Sequence, residues 1–463
     1  MWTRALGPLI KVNLYIRIYA EDTMKKLILV TLTALAVASM SLRAQGGAID
    51  ELFTNSAPRV AAPAVSGPAI VGQPVGQAPV QREWLVLVFI NGVNDLGLLG
   101  FADKSINDME KVGSNDKMAV VVEYGILGIA DPATRTLKIP KGTKTIYIKQ
   151  DADAGKITSQ IISTSTASDM GSVNSMVRFA KRAIRRYPAN KLALVIWNHG
   201  AGRLGISYDD MTKNHMEVDQ LGQGLAQIKS ELGHNINVFA TDACLMQMAA
   251  VAYELRNSAD VIVGSEEVIP GNSYPYDTIL GQLGVNTGMN AEQLGVVMVD
   301  AYKASYPAYA AASGNAGSGE VVTLSALRTS ALPGFVGKLN NWVDAVMNDP
   351  QALKIATSKA AVDGAYYFYM EDSKDLYTYI SSVNSKLGIK GPGAKNAGTA
   401  LQNYIKNSLI IRNGVLPVSV KAQGMAIYIP ELTYNSSNYE KLAFAADSYW
   451  DDYLRTMMEE RLK

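Results

Sequence analysis

The chain has 463 residues, 48% of them hydrophobic and 18% charged, with 43 basic side chains against 42 acidic ones. That length allows two domains, because single cores rarely keep growing beyond about 250 to 300 residues. The near-neutral balance excludes a bulk electrostatic pull toward nucleic acid or anionic lipid, and a single cysteine excludes an internal disulfide.

Met24, Lys25 and Lys26 precede an apolar run from Leu27 to Leu35 and small residues at Ala36, Ala38 and Ala44. This is the pattern of a bacterial export signal. The apolar run is too short to span a bilayer, so no stable membrane span is expected, and a periplasmic, cell-surface or secreted mature chain should begin after Ala38 or Ala44. Residues 1–23 do not belong to that pattern, which makes Met24 the expected start and residues 1–44 an upstream extension plus signal. Residues 45–82 are rich in Pro, Ala, Val and Gly and read as a linker or pro-arm.

From Trp84 the character changes. The runs "EWLVLVFIN" from Glu83, "KMAVVVEYG" from Lys117, "KLALVIWNHG" from Lys191, "INVFATDAC" from Ile236 and "ADVIVGSEE" from Ala259 are continuous and β-branched. Such runs suit strands buried on both faces of a parallel sheet. Helical patterns lie between them, clearest from Ser172 to Tyr187, where Val173, Met176, Val177, Ala180 and Ile184 share a face and Pro188 ends the run. Lys181, Arg182, Arg185 and Arg186 fall at helical spacing in the same segment and read as a solvated face. Thr136–Gln150 reads as a hairpin turning at Lys141 and Gly142 at the sheet edge. Alternating strands and helices predict an α/β domain over 83–285 with right-handed crossovers. Beyond it, helices are predicted near 291–304, 332–347 and 396–408, strands near 320–324 and 425–429, and a closing helix at the C-terminus. Residues 286–463 therefore read as an additional mixed α/β subdomain, and a monomer is expected.

In open parallel sheets functional groups gather past the carboxyl ends of the strands. Two such ends carry reactive residues here, His199-Gly200 after one strand and Asp242-Ala243-Cys244 after the next. A cysteine nucleophile needs thiolate character, and its ordinary pKa of about 8.5 leaves little thiolate at neutral pH. A nearby imidazole would favour ionisation, and so would a helix N-terminus, predicted here because "LMQMAAVAYELR" from Leu245 is a good helix. Of the three histidines, His199, His215 and His234, only His199 holds a strand-end position followed by glycine.

A strand ending in His-Gly, 45 residues (244 − 199) before a strand ending in Asp-Ala-Cys, is similar to the caspase-like peptidases. The blocks "RYPANKLALVIWNHG", "TDACLM", "GSEEVIPGNSYPYD" and "WLVLVFINGVNDL" resemble the clostripain family in particular, closely over about 83–280 and loosely beyond. The resemblance implies a caspase-like α/β fold, a mostly parallel sheet flanked by helices. It also implies a cysteine endopeptidase that cuts protein or peptide substrates after Arg or Lys and requires no cofactor. Matched residue by residue, Cys244 would be the nucleophile and His199 its base. Gly200 and Cys244 would supply the oxyanion-hole amides, and Asp242 the carboxylate of the primary specificity pocket. Asp242 also fits a helix N-cap, so both readings stay open there.

Three departures stand out. Related sequences tend to carry an Asp-Gly-Trp run where this chain has Asn272, Ser273 and Tyr274, so a second acidic group is missing and Asn272 becomes a substrate-binding candidate. The small-residue run after His-Gly is here Ala201, Gly202 and Arg203. Calcium dependence varies among relatives; Asp209 with Asp210, or Asp151 with Asp153, could offer oxygens, and no metal is assigned. Lys213, in "DDMTKNHMEVD", stands where many relatives cut themselves, with Arg203 as the second candidate. No third residue is needed to write the mechanism. The competing readings are a non-catalytic exported binding module on the same fold and a caspase-like peptidase that cuts after Asn or Asp.

Overall fold

A computed structural model describes residues 80–130, 137–139, 141–166, 168–312 and 321–462. The export-signal expectation and all but the last few residues of the Pro/Ala-rich arm lie outside the described residues. Among the described residues, nine strands form one sheet in the order β14 (Ile410–Leu416), β12 (Val322–Arg328), β11 (Ala259–Gly264), β10 (Ile236–Asp242), β7 (Ala189–Trp197), β1 (Arg82–Gly92), β2 (Met118–Ile126), β5 (Gly142–Tyr147) and β6 (Gln160–Ser165). The five apolar runs become β1 (Arg82–Gly92), β2 (Met118–Ile126), β7 (Ala189–Trp197), β10 (Ile236–Asp242) and β11 (Ala259–Gly264). Neighbours among them all pair in parallel.

Continuous apolar sequence is what a sheet covered on both faces demands. In β1, Leu85, Leu87 and Phe89 enter one core while Trp84, Val86, Val88 and Ile90 enter the other. The first core is closed by helices Val173–Arg186, Val218–Leu232, Ala249–Leu255 and Leu332–Met347, the second by Phe101–Glu110, Tyr276–Val285 and Ala291–Ala312. Each large apolar side chain fully buried in this way contributes about 1.5–3 kcal/mol.

The sheet runs on past residue 285. Strands β12 (Val322–Arg328) and β14 (Ile410–Leu416) extend it antiparallel from β11, so the C-terminal part shares the central sheet. A two-stranded sheet of β13 (Ser373–Asp375) and β15 (Ala426–Tyr428) lies beside it, and helix Trp450–Leu462 closes the chain.

The hairpin expected over 136–150 does not form. Strand β4 (Leu137–Ile139) turns back onto β3 (Ile129–Ala130), whereas β5 (Gly142–Tyr147) joins β2 on one side and β6 (Gln160–Ser165) on the other. Gly142 has φ 141°, and a Cβ there would lie 2.2 Å from the Ser165 carbonyl oxygen, so the glycine marks a close strand approach. A small antiparallel hairpin, β8 (Ile206–Asp209) with β9 (Asn214–Met216), rises from the rim after β7.

Candidate active site

The parallel register of β7 and β10 aligns Trp197 with Asp242. His199 and Cys244 each stand two residues past that pair, on the carboxyl rim where loops converge. Asn198 ties the rim together. Its amide donates to the Asn91 carbonyl at 2.6 Å, its side-chain oxygen accepts from the Tyr208 amide at 2.6 Å, and its own N–H donates to the Asp242 carbonyl at 3.2 Å. Gly200 leaves room for Cys244, since a Cβ at Gly200 would sit 2.4 Å from the Cys244 carbonyl oxygen. Among the described residues neither the Gly200 nor the Cys244 N–H donates to a backbone carbonyl.

The helix expected from Leu245 begins only at Ala249, with Met248 as its N-cap. Cys244 is therefore not at a helix N-terminus, and Asp242 is not a helix cap. Leu245 instead adopts a left-handed φ of 64°, and the Leu245 and Gln247 amides bond to the Glu267 and Ser265 carbonyls at 3.2 and 3.0 Å. This turn leaves Cys244 half-buried against the following loop, where its sulfur accepts from the Ile269 N–H at 3.3 Å. Burial pushes the thiol up to about 11; the amides of Ile269 and of Cys244 itself pull it down, and the carboxylates of Glu267 and Asp242 push it further up. At neutral pH the sulfur carries its proton.

His199 has a partner that the sequence reading did not supply. Its Nε2 lies 2.7 Å from Asp95 Oδ1, at the start of the short helix Asp95–Leu98 just past the end of β1. The imidazole hydrogen bond is the main reason that the Asp95 carboxyl sits below its ordinary value, against a smaller opposing effect of partial burial. With Nε2 held, Nδ1 is the nitrogen left for proton exchange. Among the described residues no hydrogen bond joins His199 to Cys244. The signal for Asp95 was present in "INGVNDL", an acidic residue shortly after a strand end on the same rim.

Asp242 is buried on the opposite face of the sheet from most of the loop around Cys244. Its Oδ2 accepts from the Tyr276 hydroxyl at 2.9 Å, from the Tyr274 N–H at 3.2 Å and from the Ser273 hydroxyl. Burial raises its pKa to about 6, and these three donors limit the rise. Asn272 is half-buried and makes no side-chain hydrogen bond among the described residues; Ser273, with φ 67°, takes the position against the carboxylate.

The C-terminal half frames the same rim. Glu267 Oε1 accepts from the Tyr369 N–H at 3.1 Å. Arg203 pairs with Asp372 at 2.9 Å and stacks 3.9 Å from the Tyr428 ring, with only 9% of its side chain exposed. Held in this way, Arg203 is less accessible than Lys213. Lys213 is 73% exposed at the tip of the β8–β9 hairpin, with φ 57° and its N–H on the Asp209 carbonyl at 2.8 Å.

The four acidic residues considered for calcium are engaged locally. Asp209 binds the amides of Met170, Met211 and Thr212, Asp210 lies 3.8 Å from Lys213, and Asp151 and Asp153 cap turns of their own loop. Among the described residues no three His, Cys, Asp or Glu side chains gather as metal ligands.

A mostly parallel sheet with helices on both faces, carrying His-Gly and Asp-Ala-Cys turns on one rim, is the caspase-like architecture. A model of the clostripain family, Peptidase C11, matches residues 88–456, and the chain belongs to that family of cysteine peptidases. Clostripain of Hathewaya histolytica is 33% identical over 140 residues, which cover 27% of this chain and 26% of that protein. The matched segment thus spans about a quarter of that relative. A secreted C11 cysteine protease from Bacteroides thetaiotaomicron, solved with an irreversible peptide inhibitor, superimposes with a TM-score of 0.60 at 21% identity, covering 80% of this chain and 99% of its own. An inactive zymogen C11 protease from Parabacteroides distasonis gives 0.59 at 19% identity, over 81% and 100%. At these identities the structural likeness establishes the fold.

The raised thiol yields a direct test. Iodoacetamide alkylation of Cys244 in the uncleaved chain should rise roughly tenfold per pH unit from about pH 6 to 9.5, without levelling near the ordinary thiol value of about 8.5. A plateau below about pH 8 would mean that the sulfur is already a thiolate.

Proposed function

We propose that the chain is an exported cysteine endopeptidase that cleaves after basic residues, with Cys244 as nucleophile and His199 as proton carrier. The observation that carries this reading is the level placement of His199 and Cys244 two residues past the paired Trp197 and Asp242, the latter a buried carboxylate at the same strand end. His199 Nδ1 takes the thiol proton as Sγ attacks the carbonyl carbon of the peptide bond. The oxyanion so formed is held by the N–H groups of Gly200 and Cys244. Collapse to the thioester breaks the C–N bond, and the imidazolium returns its proton to the leaving amine. Water, deprotonated by the same imidazole, then releases the acid and restores the thiol. Asp95 keeps the ring turned so that Nδ1 faces the reacting atoms.

The substrate cation does more than anchor. Asp242 is one of the two carboxylates that hold the thiol proton on. A Lys or Arg side chain bound to Asp242 cancels that charge and eases ionisation of the sulfur at the moment substrate arrives. Recognition and activation are thereby coupled. No helix among the described residues is long and apolar enough to cross a membrane; a structural neighbour is a secreted protease, which supports the reading of export.

Fluorogenic peptides ending in Arg, Lys, Asn or Asp decide among the readings. Turnover is expected with Arg or Lys peptides only, and none in Cys244→Ala or His199→Ala. Turnover confined to Asn or Asp peptides would overturn the specificity, and a chain whose alkylatable thiol turns over none of them would be a binding module. Because Asp242 takes up a proton as the pH falls through about 6, KM for basic peptides should climb below that pH while kcat changes less. Asp95→Asn should lower kcat by roughly tenfold with KM moved by less than about twofold, a modest loss because the pair is partly solvated; a pure KM effect would deny Asp95 its positioning role.

Self-cleavage after Lys213 belongs to the same proposal. The tip is exposed, but its backbone is tied into a tight turn, so the hairpin must open before Lys213 can lie extended in a cleft. Two fragments, the second beginning at Asn214, are expected on a denaturing gel and should be absent in Cys244→Ala and in Lys213→Ala. Active enzyme with an uncut chain would remove this part.

A further inference from the structure

The Asp242 carboxylate is asymmetric. All three of its hydrogen bonds fall on Oδ2, from the Ser273 hydroxyl, the Tyr274 N–H and the Tyr276 hydroxyl. The donors are fixed from behind. Trp197 Nε1 donates to the Ser273 oxygen at 2.8 Å, so the single hydroxyl proton of Ser273 is directed at Asp242. The Tyr274 hydroxyl donates to the Thr241 carbonyl at 2.8 Å and anchors the segment that supplies the Tyr274 amide. Oδ1 receives no hydrogen bond, and it is not among the fully buried polar atoms left without a partner, so it is the oxygen left to meet a substrate cation.

A carboxylate oxygen offers about two lone-pair directions. Three donors saturate Oδ2 and occupy the space beside it. A guanidinium gains most from a carboxylate by lying edge-on and bonding both oxygens at once, whereas an ammonium is a compact charge that one oxygen can hold. Resting on the proposed reading of Asp242 as the pocket carboxylate, we infer that the chain prefers lysine over arginine on the acyl side of the cleaved bond. Ser273, Tyr274 and Tyr276 are the residues that set this preference by blocking the second point of attachment.

The experiment is a comparison of kcat/KM for matched peptides ending in Lys and in Arg, on the wild-type chain and on Ser273→Ala and Tyr276→Phe. The Lys peptide should lead by roughly tenfold, the loss expected when one charge-assisted bond cannot form. Each variant removes one of the three donors crowded on Oδ2 and clears the space beside it, and the ratio should move toward Arg by several-fold, chiefly through the KM of the Arg peptide. Tyr276→Phe keeps the ring and its packing, so it tests the hydroxyl alone even if Ser273→Ala folds poorly. Cleavage of both peptides with Arg equal or ahead, or a ratio that neither variant moves, would overturn this inference and leave the basic specificity standing. Cleavage of neither peptide by a chain that cuts after other residues would instead remove the reading on which it rests.

Discussion

Everything at the rim depends on the parallel pairing of β7 with β10, which sets Trp197 opposite Asp242. Because successive residues of a strand alternate faces, a slip of one position would send Asp242 to the other core and lift Cys244 out of line with His199. Register is fixed by burial on both sides: Leu194 and Ile196 fill one core while Ala193, Val195 and Trp197 fill the other. Asn198 then locks the ends of β1, β7 and β10 to one another through its side chain and its amide.

Around that line the electrostatics are set against ionisation at rest. Two carboxylates and burial keep the Cys244 proton in place, while the imidazole is held by Asp95 on its far nitrogen. A free thiolate is open to oxidation and to exchange with other thiols. A sulfur whose proton is held by burial and by neighbouring carboxylates is shielded from both.

The sequence made the central sheet legible because its strands are buried on both faces and need unbroken apolar runs. It did the same for helices whose apolar face is wide, such as Val173–Arg186 and Leu332–Met347. Edge strands escaped for the opposite reason. Gln160–Ser165 is half-exposed and rich in Ser and Thr, and Ile410–Leu416 contains Arg412, Asn413 and Gly414, which read as a turn until the neighbouring strand supplies its hydrogen bonds. At Cys244 a real preference was overridden: "LMQMAAVAYELR" is a good helix from its first residue, yet the amides of Leu245 and Gln247 find partners in the loop after β11 and delay the helix to Ala249. Candidate residues on strand ends were placed by position alone, whereas Asp95, Ser273 and Tyr276 come from loops whose return to the rim is a tertiary event. At Asn272 the sequence offers a substrate contact, whereas the left-handed backbone at Ser273 puts Ser273 against the Asp242 carboxylate.

The hairpin of β8 and β9 lies in the connection from β7 to the helix before β10 and packs against the end of β1. Were that passage severed, the sheet would become a joint product of two polypeptides, one bringing β1, β2, β5, β6 and β7 and the other β10, β11, β12 and β14. Their seam would be the β7–β10 ladder itself, and His199 and Cys244 would sit on different polypeptides. With a single cysteine no covalent bridge could hold them, so the cohesion of the two pieces would rest on interlocked cores and on clasps such as Arg203 with Asp372.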